Sequence, residues 1–130
     1  MVIDSSVLLA YFLDEPGAER AEQEIRKGGL LLSSVNCSEV KGQLVGMGVS
    51  TPQAVDREFD SLAQLVEIVA FDLEQSDLAA YYYARRNPYN LSLGDCACLA
   101  LAEARGLDVL TAEQSWAKLP NLPFKIHLIR

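Results

Sequence analysis

Short apolar runs and longer amphipathic segments alternate along the chain. The apolar runs predict five β-strands, at residues 2–4, 30–33, 67–71, 108–111 and 125–129. The segments between them have a helical spacing of apolar positions and predict seven helices, at residues 7–13, 18–27, 36–45, 51–65, 73–86, 93–105 and 113–118. Strands that alternate with helices are typical of a parallel sheet covered by helices on both faces. The pattern therefore predicts an α/β fold, in which ligands bind at the carboxyl ends of the strands.

Capping residues support several of these helix boundaries. Ser5 or Ser6 is placed to cap the first helix. Thr51 precedes a proline at the first position of the fourth helix, where proline is well tolerated. Ser92 is placed to cap the helix at 93–105.

Length and charge limit the classes of protein to consider. A chain of 130 residues predicts a single domain over 1–130, and a hydrophobic content of 50% predicts a packed globule. Eleven Lys and Arg against 18 Asp and Glu give a net charge of −7, which argues against a broad basic surface that coats nucleic acid. Nucleic acid is not excluded altogether, because carboxylates that bind cations also count as negative in this sum.

We expect a cytoplasmic protein without a membrane segment. Residues 1–3 are followed at once by Asp4, without the basic region or cleavage site of a signal peptide. The longest nearly apolar run, 96–104, is too short to cross a bilayer. Three cysteines suit a reducing compartment better than a disulfide framework, and we expect all three to be small buried hydrophobic residues.

Four acidic residues fall near the carboxyl ends of predicted strands: Asp4, Glu39, Asp95 and Glu113. Asp4 ends the first strand and Glu113 follows the fourth. Glu39 and Asp95 are predicted in the first turns of the helices at 36–45 and 93–105. Because the carboxyl ends of parallel strands meet at one edge of the sheet, these acids are the candidates for the chemistry of the protein.

Each of three acids also has an alternative explanation as part of the fold. Asn36 precedes Glu39 and Ser92 precedes Asp95 by three residues, which is the spacing of a capping box. An acid in a first turn also suits the helix dipole, and Glu113 is explained equally well as an ordinary exposed acid at a helix start.

The four acids are more informative together. Asp4 follows an apolar strand, and a carboxylate buried there must be hydrogen-bonded, paired or metal-bound. Four acids at one sheet edge would repel one another, and no cluster of basic residues stands beside them in the sequence. Mg²⁺ or Mn²⁺ would relieve this repulsion, because hard cations prefer oxygen ligands and accept phosphate to complete their coordination. Two such cations could act on a phosphodiester.

Other catalytic arrangements fit less well. His127, the only histidine, lies in the last predicted strand and is interpreted as structural, which leaves no His-based zinc site and no Ser-His-Asp triad. A phosphoryl-acceptor receiver domain would need an acidic pair near the N-terminus, but Ser5 follows Asp4. A phosphatase with a first-strand aspartate would need a second acid where Ser6 stands.

Four stretches carry a family resemblance: VIDSS (2–6), SEV (38–40), LSLGD (91–95) and LTAE (110–113). In order and spacing they resemble the PIN-domain ribonucleases of the VapC type, the toxins of type II toxin–antitoxin pairs. The resemblance implies a three-layer α/β/α fold with a five-stranded parallel sheet in the order 3-2-1-4-5. It also implies an endoribonuclease that depends on Mg²⁺ or Mn²⁺.

The resemblance assigns roles to the four acids. Asp4 and Asp95 correspond to the principal metal ligands. Glu39 falls on the second acid, which holds or orients the metal and its water. The fourth acid of the family is usually Asp, so Glu113 departs from the pattern by one methylene group, and second-metal binding is the property that this change touches.

Five further residues are candidates for the pocket or for RNA. Ser6 and Thr111 match hydroxyl positions that line the pocket in the family, or are a helix cap and a strand end. Lys41, Arg85 and Arg86 are candidates for contacts with the RNA backbone. For the two arginines we favour the alternative that they lie at the negative end of a helix dipole, and for Lys41 that it is solvated.

The resemblance also implies partners. Apolar residues at 7–13 and in the helix from Val40 exceed what a small core needs, unless all of them are core. By resemblance, a cognate antitoxin docks against such helices, and a homodimer is typical. A non-catalytic PIN-like module that binds RNA or protein is the alternative to a nuclease.

Overall fold

The computed structural model describes all residues, 1–130, which form an α/β fold with helices on both faces of one sheet. The strands are β1 (Val2–Ile3), β2 (Leu30–Ser33), β3 (Val66–Val69), β4 (Val109–Thr111) and β5 (Ile126–Leu128). The helices are α1 (Ser5–Leu13), α2 (Ala18–Lys27), α3 (Ser34–Gly46), α4 (Pro52–Leu62), α5 (Leu73–Ala84) and α6 (Leu93–Arg105), followed by a short 3₁₀ helix (Gln114–Lys118).

The five strands form one parallel sheet in the order β3-β2-β1-β4-β5, which confirms the predicted order. The central strand β1 has only two residues, and it pairs with β2 on one side and β4 on the other. Since β1 ends at Ile3, the residue that follows it, Asp4, lies at the middle of the sheet's carboxyl edge.

Alternate residues of the central strands face opposite layers, as strand geometry requires. Ile3 and Leu110 pack into a core of 18 buried residues on the side of α1–α4. Val2 and Val109 pack into a second core of 14 buried residues, six of which belong to α6. Every residue of α6 from Cys96 to Ala102 is buried, because this helix contacts the sheet as well as α3 and α5.

Two predicted helix starts were wrong. The first helix begins at Ser5 with extended Asp4 at the N-cap position, so neither Ser5 nor Ser6 caps it. Helix α3 begins two residues earlier than predicted, because the Ser33 side chain accepts the backbone N–H of Val35 and caps it there. Asn36 and Glu39 therefore do not form a capping box, and Glu39 lies in the second turn of α3.

Other local predictions were confirmed. Thr51 caps α4 with Pro52 at its first position, and Ser92 forms a capping box with Asp95 at the start of α6. All three cysteines are free and buried. His127 lies in the edge strand β5, and its Nε2 contacts a carboxylate oxygen of Asp108 at 3.0 Å, in keeping with a structural role. None of the helices is both apolar enough and long enough to traverse a bilayer.

Candidate active site

The structure brings the four predicted acids together at the carboxyl edge of the sheet. The negative charges of Asp95 and Glu113 raise the pKa of Asp4, and those of Glu39 and Glu113 raise the pKa of Asp95. These mutual interactions place all four carboxylates in one electrostatic cluster, although they are up to 109 positions apart in sequence (113 − 4).

Asp4 is the buried centre of this cluster, with only 3% of its surface exposed. The Ser6 hydroxyl donates to its Oδ1 at 2.6 Å, and the Thr111 hydroxyl donates to its Oδ2 at 3.1 Å. Burial raises the pKa of Asp4 from 3.8 to about 7; the two hydroxyls lower it, and Asp95 and Glu113 raise it further. The structure thus holds a carboxylate at a position that disfavours its charge.

The two hydroxyls that contact Asp4 are themselves fixed by the backbone after β4. Ser6 Oγ accepts the N–H of Ala112 at 2.9 Å, and Thr111 Oγ1 accepts the N–H of Glu113 at 3.0 Å. Because each oxygen accepts a backbone proton, each hydroxyl proton is directed to Asp4. Both residues that were predicted to line the pocket therefore contact the central acid.

Asp95 combines a capping role with membership of the cluster. Its Oδ2 accepts the backbone N–H of Ser92 at 2.8 Å, and its own N–H donates to Ser92 Oγ at 3.1 Å. Burial raises the pKa of Asp95; the bonds from Ser92 lower it, and Glu39 and Glu113 add to the rise. The cap uses Oδ2 only, so Oδ1 is left without a hydrogen-bond donor.

Glu39 is held by two residues that the sequence analysis did not identify in this role. The Ser5 hydroxyl and the Asn36 side-chain amide both donate to Glu39 Oε1 at 2.7 Å. Gly94 leaves room for the carboxylate of Glu39, since a Cβ atom at position 94 would collide with it. A glycine in the first turn of a helix, where it has low helix propensity, was the signal that could have pointed to this close approach.

Glu113 is the most exposed member of the cluster. It follows β4 at the N-cap position of the 3₁₀ helix, and its side chain accepts no hydrogen bond there. Only its backbone is hydrogen-bonded: its N–H donates to the Thr111 hydroxyl, and its carbonyl accepts the N–H of Trp116. Its carboxylate is free to reach a ligand from the open side of the cluster.

No basic side chain neutralises the cluster. The protein forms five ion pairs, and none includes any of the four acids. No three His, Cys, Asp or Glu side chains lie close enough together to hold a metal ion by themselves. The donor set fits Mg²⁺ or Mn²⁺, because such ions bind through one or two carboxylates and keep water and phosphate as their other ligands.

The three predicted RNA contacts have other partners in the structure. Lys41 Nζ lies 3.5 Å from Asp56 and 5.1 Å from the centre of the Phe59 ring. Arg85 and Arg86 donate to backbone carbonyls in the last turn of α5, at 3.4 and 3.1 Å. These contacts match the helix-end alternative for the arginines, and their role toward RNA stays a prediction.

Comparison with known proteins identifies a matching family and similar proteins. The family model described as PIN domain matches residues 1–122. A protein named Ribonuclease VapC from Mycolicibacterium smegmatis is 30% identical over 114 residues, which cover 85% of this chain and 88% of the relative. Ribonuclease VapC30 from Mycobacterium tuberculosis is 31% identical over 114 residues, with 85% and 87% covered.

A solved structure shows the same fold. The crystal structure of VapBC2 from Rickettsia felis, bound to a DNA fragment from its promoter, aligns with a TM-score of 0.72. The alignment covers 98% of this chain and 96% of that one at 12% sequence identity. At this identity the likeness concerns the fold, and the family is shown by the sequence matches.

Proposed function

Because this chain belongs to the PIN-domain family, among the VapC ribonucleases, we propose that it is an endoribonuclease that depends on Mg²⁺ or Mn²⁺. The observation that carries the proposal is the buried Asp4, which has Asp95 and Glu113 as acidic neighbours and no basic partner. A protein keeps such a cluster at a cost to folding, and a divalent cation offsets that cost while it binds a phosphate.

The residues divide the work as follows. Asp4 and Asp95 would hold the cation, with Glu39 and Glu113 as further candidates. When bound, Mg²⁺ or Mn²⁺ supplies a Lewis acid that activates a water and stabilises charge on the phosphate. Both oxygens of Asp4 are oriented in advance by hydroxyl donors. Glu39 would orient the attacking water through Oε2, which accepts no hydrogen bond from the protein.

The reaction proposed is hydrolysis of an RNA phosphodiester. Water attacks the phosphorus, and the 3′-oxygen leaves with a proton. The products then carry a 3′-hydroxyl on one fragment and a 5′-phosphate on the other. These ends differ from the cyclic phosphates that form when the RNA's own 2′-hydroxyl is the nucleophile.

We further propose that this ribonuclease is the toxin of a type II toxin–antitoxin module and forms a homodimer. Its solved structural neighbours include toxin–antitoxin complexes, among them one from Klebsiella pneumoniae. Helices α1, α3 and α4 border a groove of about 400 Å³, whose lining includes five hydrophobic residues, Tyr11, Phe12, Leu44, Val49 and Val55, together with Ser50 and Glu58. A segment of the cognate antitoxin would dock on these helices.

Cleavage of RNA with a defined set of controls tests the proposed activity. The purified protein should cleave bacterial total RNA with Mg²⁺ or Mn²⁺, leave 5′-phosphate ends and stop when EDTA is added. Asp95→Asn should lower the rate at least about 10²-fold, since it removes a charged ligand from the cation. Glu24→Gln is the matched control, because it removes a buried carboxylate that does not belong to the cluster.

Two results would contradict the activity. Cleavage that persists in EDTA, or that is unchanged in Asp95→Asn, would contradict the proposed metal site. RNA binding without cleavage under every metal condition supports the non-catalytic module instead.

A further inference from the structure

We propose that Asn36 and Ser5 are positioning residues, which fix the carboxylate of Glu39 at the metal site through its Oε1 atom. The proposal rests on the proposed function, because it gives these residues a role toward the metal that the acid cluster would bind. It goes beyond the four acids, since neither Asn36 nor Ser5 has a carboxylate.

The hydrogen bonds are directed to one oxygen of Glu39. Asn36 Nδ2 and Ser5 Oγ both donate to Oε1 at 2.7 Å. Asn36 Nδ2 also donates to the carbonyl of Gly94 at 3.1 Å. Two donors on Oε1 fix the orientation of the carboxylate and leave Oε2 without a donor from the protein, so that Oε2 is available to a cation or a water.

The same network joins the three chain segments that carry Asp4, Glu39 and Asp95. Ser5 directly follows Asp4, and Gly94 directly precedes Asp95. Asn36 and Glu39 lie one turn apart on α3. Asn36 therefore ties α3 to the start of α6, and Ser5 ties α3 to the start of α1, so that the network sets the spacing among three acids.

The burial of Asn36 argues that stability alone does not explain it. Its side chain is 1% exposed, and its Oδ1 is buried without a hydrogen-bond partner. The amide orientation is fixed, because both neighbours of Nδ2 are acceptors. An unpartnered buried carbonyl costs stability, which an apolar side chain at this position would avoid. What the amide adds is the pair of bonds to Glu39 and Gly94.

Gln75 provides a matched control elsewhere in the fold. It is 3% exposed, donates from Nε2 to the carbonyl of Ala70 at 3.0 Å, and leaves its Oε1 buried without a partner. It contacts none of the four acids. Gln75→Ala thus removes the same kind of group as Asn36→Ala at a place that has no part in the cluster.

Calorimetric titration with Mn²⁺ alone tests the proposal without RNA. Asn36→Ala and Ser5→Ala should each weaken Mn²⁺ binding about 10- to 100-fold, as is typical when a group that orients a metal ligand is removed. Gln75→Ala should bind within about twofold of the wild type. In a Glu39→Gln background, Asn36→Ala should add little further loss, because the residue acts through Glu39.

The outcomes separate positioning from mere stability. Asn36→Ala with wild-type Mn²⁺ affinity, or with an undiminished effect in the Glu39→Gln background, would overturn the proposal. If Asn36→Ala does not fold, Ser5→Ala decides the matter by the same criteria, since Ser5 is the first residue of α1 and does not cap it, and alanine has a high helix propensity.

A metal-free measurement separates failure of this proposal from failure of the proposed function. If the wild type binds no Mn²⁺, the metal site fails, and the ¹³C signal of the Glu39 carboxyl in metal-free protein decides the positioning role. The signal should shift or broaden in Asn36→Ala and Ser5→Ala but not in Gln75→Ala. An unchanged signal in the first two variants overturns the proposal.

Discussion

Two buried carboxylates in this protein have opposite surroundings. Glu24, on the outer helix α2, is 7% exposed and contacts Lys27 at 2.9 Å and Arg20 at 3.1 Å. Hydrogen bonds from these two basic residues lower the pKa of Glu24. Asp4 is 3% exposed, has hydroxyl donors but no basic partner, and its pKa rises to about 7.

The charges of Glu24 and Asp4 are therefore neutralised in different ways. Glu24 is neutralised within its own helix by residues four positions before and three after it, a spacing that places them side by side. Asp4 instead has two acidic neighbours, Asp95 and Glu113, whose charges raise its pKa further. No basic residue of the chain balances the charge at the sheet edge, so either a proton or a cation from solution must do so. This is the physical basis for the cation proposed there.

The largest expected effect concerns Asp4 and pH in the metal-free protein. A carboxyl whose folded-state pKa exceeds its unfolded value binds more protons when folded, so stability falls as pH rises between the two values. The stability that the raised pKa of Asp4 contributes to the folded state is fully present below about pH 4 and is lost as pH rises to about 7. At about 1.4 kcal/mol per pKa unit, the loss is on the order of 4 kcal/mol.

Urea denaturation of wild type and Asp4→Asn at several pH values measures this contribution. The difference in unfolding free energy between the two proteins should change in favour of the variant as pH rises from 4 to 8. A difference that is constant over this range would show that Asp4 is not a buried, uncompensated acid.

A smaller effect concerns Glu113, the exposed acid of the cluster. If it is a working ligand, Glu113→Asp should keep much of the cleavage rate, since charge and most of the geometry remain. Glu113→Gln should lose about tenfold or more, because a neutral amide binds a hard cation less well. Cleavage rates measured against metal concentration compare the two variants. Wild-type rates for both would leave the other three acids to form the site.

The smallest effect is expected for Glu24, the buried acid that is paired with basic residues. Glu24→Gln removes two ion pairs on α2 whose basic partners are largely exposed, so thermal or urea denaturation should show a loss of only about 0.5–1 kcal/mol. RNA cleavage and metal binding should not change. A loss of activity in this variant would mean that the cluster is not distinct from ordinary buried acids.

The fold was predictable from the sequence because its signals are local. The apolar runs located all five strands, and the family resemblance supplied their order. Boundaries were less accurate: α4 ends at Leu62 and α5 at Ala84, two to three residues before the predicted ends. The start of α3 was missed because Ser33 and Asn36 are both acceptable caps by type, and only the fold shows which is used.

The clustering of the four acids was predictable from the sequence, and their supporting contacts were less so. Asp4 and Asp95 stand out because charge follows or begins apolar sequence. Ser5 and Asn36 do not, since each residue type is common near helix starts. Their partner Glu39 is 34 positions from Ser5, and the Gly94 carbonyl is 58 positions from Asn36. Contacts of this range follow from the packing of α1, α3 and α6, not from any local pattern.

Thermal unfolding of the metal-free protein against Mg²⁺ or Mn²⁺ concentration tests the central claim most directly. A cation that binds only the folded state stabilises it by about 2.7 kcal/mol at 100 times its dissociation constant. The melting temperatures of the wild type and Glu24→Gln should therefore rise together with metal concentration, while that of Asp4→Asn stays nearly constant. Equal responses of all three proteins, or no response of the wild type at millimolar metal, would contradict the assignment of a cation site to the acids at the sheet edge.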